Sequence, residues 1–100
     1  MVVGTLRCDL LLGDVHSLKG KRAVMRPLLA DLRRRFAVSA AETGDNDLYR
    51  RSEVSVALVA GDHAHVVSVL DECERFVAGC PEIELLAVRR RVLDDDDLED

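Results

Sequence analysis

Even-numbered positions from Val2 to Leu12 read Val, Gly, Leu, Cys, Leu, Leu, while the odd ones include Thr5, Arg7 and Asp9. Alternation with a period of two belongs to a strand that buries one face, so the chain opens on a strand. Gly13-Asp14 breaks it, and Ser17 supplies an N-cap for a helix running to about Arg35, its hydroxyl accepting an orphan backbone N–H. At about 100° per residue, Val24, Met25, Leu28, Leu29, Leu32 and Phe36 fall in one stripe, and Lys19, Arg22, Arg26, Arg33 and Arg34 gather beside it. Gly20 weakens the first turn, and Pro27 removes one interior hydrogen bond.

Ala37 to Thr43 reads as a short strand of small residues, followed by the turn signal Gly44-Asp45-Asn46-Asp47. A third strand is predicted from about Arg51 to Ala60, with Val54, Val56, Leu58 and Ala60 on one face and Glu53 and Ser55 on the other. Asp62 caps a second helix, whose buried stripe is Val66, Val69, Leu70, Cys73, Phe76 and Val77; Gly79 and Pro81 mark its stop. Ile83 to Leu93 is a fourth strand. The order β-α-β-β-α-β fits an α+β, ferredoxin-like sandwich: a four-stranded antiparallel sheet, strands one and three central, with both helices on one face.

Length changes this picture little: 100 residues, 48% of them hydrophobic, make one domain with one core. That domain is expected over residues 1–93, with an acidic, disordered tail over 94–100. Charge changes it more. The formal net charge is −5, but six of the nineteen acids are Asp94, Asp95, Asp96, Asp97, Glu99 and Asp100. Residues 1–93 therefore hold thirteen acids against fourteen bases. Half of those bases, Lys19, Lys21, Arg22, Arg26, Arg33, Arg34 and Arg35, lie in one stretch whose sole acid is Asp31. No apolar run is long enough to span a membrane, and the first residues lack the basic-then-apolar pattern of a signal peptide, so a cytoplasmic protein with no membrane partner is expected. Cys8, Cys73 and Cys80 are odd in number and widely spaced, which suits reduced thiols.

Several stretches resemble the YlxP-like family of small bacterial proteins. They are Val2-Val3-Gly4, Ser17-Leu18-Lys19-Gly20-Lys21-Arg22, Phe36-Ala37-Val38-Ser39-Ala40-Ala41-Glu42 and Asp47-Leu48-Tyr49-Arg50-Arg51. The Ser-Leu-Lys-x-Lys-Arg run is the most specific, and the likeness covers nearly everything except the tail. It implies a ferredoxin-like fold with no established activity. Because genes of the family often neighbour those of translation factors, including a ribosome-binding factor, it also implies a ribosome or RNA role. Tyr49 stands where Trp is common in the family, and the acidic tail is a further departure.

Enzymatic chemistry finds little support in the residues. An acylphosphatase on this scaffold needs a phosphate-cradling loop with an Arg after the first strand, and Gly13-Asp14-Val15-His16-Ser17 has neither. His63 and His65 point away from each other on a helix, so with His16 they read as solvated side chains, and neither metal nor cofactor is expected. Base stacking on the sheet lacks rings, since Val3, Thr5, Arg7, Asp9, Glu53, Ser55, Ala57 and Val59 face outward.

Two binding readings remain. In the first, Lys19, Lys21, Arg22, Arg26, Arg33 and Arg34, extended by Tyr49, Arg50 and Arg51, contact structured RNA such as ribosomal RNA or a ribosomal subunit. The bland counterpart is a solvated face paired with Glu42, Asp31 or the tail. In the second, the chain is a homo-oligomeric interaction module without nucleic-acid contact. It would dimerise through an open sheet face bearing Val3, Leu11, Ala57, Val59, Leu85 and Ala87.

Overall fold

The computed structural model describes residues 1–99. The elements β1 (Val2–Leu12), α1 (Leu18–Phe36), β2 (Ser39–Gly44), β3 (Arg51–Ala60), α2 (His63–Ala78) and β4 (Ile83–Leu93) follow in the expected order. One antiparallel sheet results, ordered β2-β3-β1-β4, so β1 and β3 are central and the fold is the ferredoxin-like α+β sandwich.

Alternation explains the layering. All six even positions of β1 are buried, and with Val54 and Val56 of β3 they meet Met25, Leu28 and Leu32 of α1 and Val66, Val69, Leu70, Cys73 and Val77 of α2. Gly4 lets the α2 layer approach β1, because a Cβ there would collide with Val66 Cγ1 and press on Leu70 and Leu58. Ser17 caps α1 as expected, its Oγ accepting from the Gly20 amide at 3.0 Å, and Asp62 does the same for α2. Helix α1 continues through Pro27, which lies on its exposed side, where the carbonyl left without a donor can reach water. It ends at Ala37, held in the left-handed region at φ 53°. Phe36 meets Phe76 edge-on at 5.7 Å between centroids, joining the C-terminal halves of the two helices.

One expectation changes. Leu85 does not lie on the open face, because the β1–β4 register shifts between Asp9 and Leu10. Asp9 opposes Ala87 while Leu10 opposes Leu85, so Leu86 is the extra residue of a bulge and Leu85 turns toward the core. In the acidic segment after β4 the chain forms one helical turn, α3 (Asp95–Leu98). A capping box between Asp94 and Asp97 holds it, and the Met1 amino group lies 3.0 Å from Asp95. Carboxylates at a helix start supply caps that a composition argument ignores; Asp100, also assigned to the tail, lies outside the described residues. Among the described residues no helix is long and apolar enough to cross a membrane.

Candidate nucleic-acid interface

The residues proposed from sequence as one basic surface separate into three groups. Lys19, Arg22 and Arg26 form a ridge along the exposed side of α1, with Ala23 and Pro27 between them, and none has a carboxylate partner among the described residues. At 1.5 Å rise per residue the ridge extends about 10 Å along the helix.

Lys21 belongs to a second group that is structural. It is only 2% exposed, and its Nζ donates to the carbonyls of Asp45 (2.6 Å) and Leu48 (2.7 Å) and lies 2.9 Å from Glu42 Oε2. Glu42 in turn accepts from the buried Ser52 hydroxyl at 2.6 Å. This network leaves no buried side-chain polar atom unsatisfied among the described residues, as a charge in a low-dielectric site requires. Lys21 is thus removed from any RNA-contacting set. Arg50 stays exposed but is also engaged, its Nε donating to the carbonyls of Leu12 (3.1 Å) and Gly13 (3.0 Å) and tying the hairpin to the end of β1. Arg33 is engaged too: its guanidinium donates twice to Ala40 O, at 3.1 and 2.7 Å, covering a carbonyl of the edge strand β2. Arg34 pairs with Asp31 at 2.7 Å, and Arg35, outside the candidate set, lies over the Phe76 ring at 5.0 Å.

Arg51 and Tyr49 make the third group. Arg51 opposes Leu11 on the sheet, so it belongs to the open face and not to the α1 side. Tyr49 is 49% exposed and its neighbour Leu48 51%, both on the hairpin loop that Lys21 pins against the start of α1. The two most distinctive sequence stretches, residues 17–22 and 47–51, therefore meet through one buried ammonium group. Their engaged members, buried Lys21 and exposed Arg50, hold the loop, and Lys19, Arg22 and Tyr49 are left to solvent.

Sequence reasoning gave no role to a second basic cluster. In the run Arg89-Arg90-Arg91, Arg90 faces α2 and pairs with Asp71 (2.7 Å) and Glu74 (3.3 Å). Arg89 and Arg91 take the opposite, open face, where Arg89 directly opposes Arg7 and Arg91 opposes Thr5. A run of three arginines on a strand signals that the outer two share a face; that Arg7 joins them depends on register, which residue pattern alone does not supply.

The thiols offer no competing chemistry. Burial, assisted by Glu74, Cys73 and Asp9, pushes the Cys8 thiol up to about 12, and burial with Glu72 pushes Cys73 up to about 11. Cys80 is raised in the same direction, chiefly by burial. Thiols held this high are not nucleophiles near neutrality. The described residues hold no cluster of three or more His, Cys, Asp or Glu able to grip a metal ion.

Residues 3–90 match the family described as "Protein of unknown function (DUF503)". The chain belongs to that family. A DUF503-type relative, the "Uncharacterized protein YlxP" of Bacillus subtilis (strain 168), is 31% identical over 88 residues, covering 88% of this chain and 96% of the relative. The matched region reaches Arg90 and so takes in every structural device described above except Arg91 and α3. The resemblance read from residues 2–4, 17–22, 36–42 and 47–51 is thereby established, and the Lys21 network, through Glu42 and Leu48, gives the last three stretches a shared structural reason.

Proposed function

We propose that this DUF503 protein is a non-enzymatic, cytoplasmic accessory factor that binds structured RNA, as in a ribosomal subunit, through the α1 ridge. The observation that carries the reading is the row Lys19, Arg22 and Arg26, exposed and without carboxylate partners among the described residues, while Lys21, Arg33, Arg34 and Arg35 on the same helix are engaged with other groups of the chain. A chain that ties four of the seven cations of a segment to its own groups and leaves three in register on the solvent side retains a strip suited to a phosphate backbone. Tyr49 and Leu48 on the pinned loop add an amphipathic contact near the start of the same helix.

Binding of purified ribosomal subunits across a salt series tests this. Three phosphate contacts predict a slope of log K against log salt of about −2 to −3. The double variant Arg22→Glu, Arg26→Glu should then abolish binding at a salt concentration where the parent binds, with the circular dichroism spectrum unchanged. Migration in the free pool of a sucrose gradient at low salt, or binding untouched by the double variant, would refute the reading. The open-face dimer has Val59 in its favour, at 63% exposed. Against it, Arg7 on central strand β1 and Arg89 and Arg91 on the adjoining edge strand β4 line that face, where stacking two copies would bring like charges together.

A further inference from the structure

A cavity lies neither on α1 nor between the helices but on the open face of the sheet. It is a trough of about 730 Å³. Its floor is made of small side chains from three strands: Thr5 of β1, Ser55 and Ala57 of β3, Ser39 and Ala41 of β2. Its other side is Arg7, Arg89 and Arg91. One end is thus strongly cationic, and the other is flat and weakly polar.

Three features of this cluster point to an anionic occupant. Arg7 and Arg89 are directly opposed on neighbouring strands, an arrangement that costs stability in the empty protein. Among the described residues, Arg7 alone of the three guanidinium groups has a carboxylate partner, Glu53 at 3.3 Å, which leaves about two positive charges uncompensated there. Arg90, between these two arginines in sequence, is matched by two carboxylates of α2 on the opposite face, so the strand neutralises its cation on the helix side and leaves the open-face pair without such partners among the described residues.

Carboxylates bracket the cluster along the strands. Beyond Arg7, Asp9 opposes Glu53, and Glu84 opposes Leu11. Beyond Arg91 the sheet ends at Leu93 and the chain passes into Asp94–Asp97. A continuous phosphodiester chain running along the strands would meet repulsion at both ends, whereas a discrete polyanion fits between them. The cavity lies within the usual size range of small-molecule sites.

We propose that the trough is a binding site for a nucleoside di- or triphosphate, its phosphates held by Arg7, Arg89 and Arg91 and its flat base and sugar resting on the small-residue floor. Guanidinium forks suit phosphate oxygens, and the hydroxyls of Thr5, Ser39 and Ser55 offer the ribose partners. Bulkier residues at Ala41 or Ala57 would occupy the space the planar part needs. This site is on the other face of the sheet from the α1 ridge and stands or falls separately from the RNA reading.

The test is titration of the full chain with ATP, GTP and inorganic triphosphate, followed calorimetrically and by amide chemical shifts. One saturable site is expected, with shifts gathered on Thr5, Ser55, Ala57, Arg89 and Arg91, and with the nucleotides tighter than triphosphate. The double variant Arg89→Gln, Arg91→Gln should weaken nucleotide binding at least tenfold while still binding ribosomal subunits as the parent does. Ala57→Leu, which retains every charge, should weaken nucleotide at least fivefold and leave triphosphate unchanged. Lack of saturation at millimolar nucleotide would overturn the proposal. So would equal affinity for nucleotide and triphosphate, shifts gathered on α1, or a short RNA saturating this face where nucleotides do not.

Discussion

Helix α1 and strand β4 both carry dense runs of positive charge, and they manage it differently. On α1 the cations are engaged one by one: Lys21 is buried under the hairpin, while Arg33 on a β2 carbonyl, Arg34 on Asp31 and Arg35 over Phe76 are held at the surface. On β4 the pleat does the sorting, sending Arg90 to two carboxylates of α2 and Arg89 and Arg91 to an open face beside Arg7. A helix offers a cation several neighbouring surfaces, whereas a strand offers two sides only. Charge density along the chain is therefore a poor guide to charge available for binding, and the accessible residue in each region depends on what the backbone lets the side chain reach.

The largest effect is expected from breaking the α1 side of this contrast at its centre. Replacing Lys21 with Ala removes the partner of Glu42 and leaves the carbonyls of Asp45 and Leu48 without their donor. Breaking a buried pair from one side costs about 3–5 kcal/mol. Urea unfolding should show a loss of that size for Lys21→Ala and almost none for Lys19→Ala or Arg22→Ala on the exposed ridge. Equal losses at the three positions would mean that the ridge, too, is structural.

The core beneath both regions gives a pH-dependent effect of the opposite sign to acid unfolding. A thiol whose folded value is raised stabilises the fold fully below its unfolded value near 9, and that contribution is lost as pH rises toward about 11 for Cys73 and about 12 for Cys8. The urea midpoint should therefore decline above pH 9, and the decline should flatten in a Cys8→Ala, Cys73→Ala variant. An alkaline limb of unchanged slope in that variant would assign the loss to other groups.

Much of the scaffold was legible. The bounds of β1, β3 and β4 and both N-caps follow from alternation, capping residues and breakers, because local periodicity and local hydrogen bonding decide them. The role of Lys21 was also written in the pattern, since it lies in register with Met25, Leu28 and Leu32 on the buried stripe, but its ammonium group invited a surface reading. What pattern could not supply was long-range: the carbonyls that accept from Lys21 and Arg50, the Leu86 bulge that turns Leu85 inward, and the register that opposes Arg7 to Arg89. Each depends on partners brought together by strand pairing, and a one-residue slip would reassign every side.

A smaller effect should separate Arg90 from its neighbours. Its pairs with Asp71 and Glu74 are partly exposed, so Arg90→Ala should cost about 1 kcal/mol or less. Thermal unfolding at low and high salt would check this, because a partly exposed ion pair weakens as salt screens it. A loss that does not shrink with salt would point to packing by the arginine stem.

The smallest effect is the one that bears most directly on the contrast. If Arg89 faces Arg7 without compensation, Arg89→Ala should leave the empty protein as stable as the parent or stabilise it by about 0.2–0.5 kcal/mol, the size of a like-charge cross-strand pair. The gain should vanish as salt is added, and it should be absent in a chain that already carries Arg7→Ala, since the repulsion needs both partners. Destabilisation by Arg89→Ala at low salt would show the guanidinium to be held by the fold, as Arg90 is, and the open face would then have no free charge to offer a ligand.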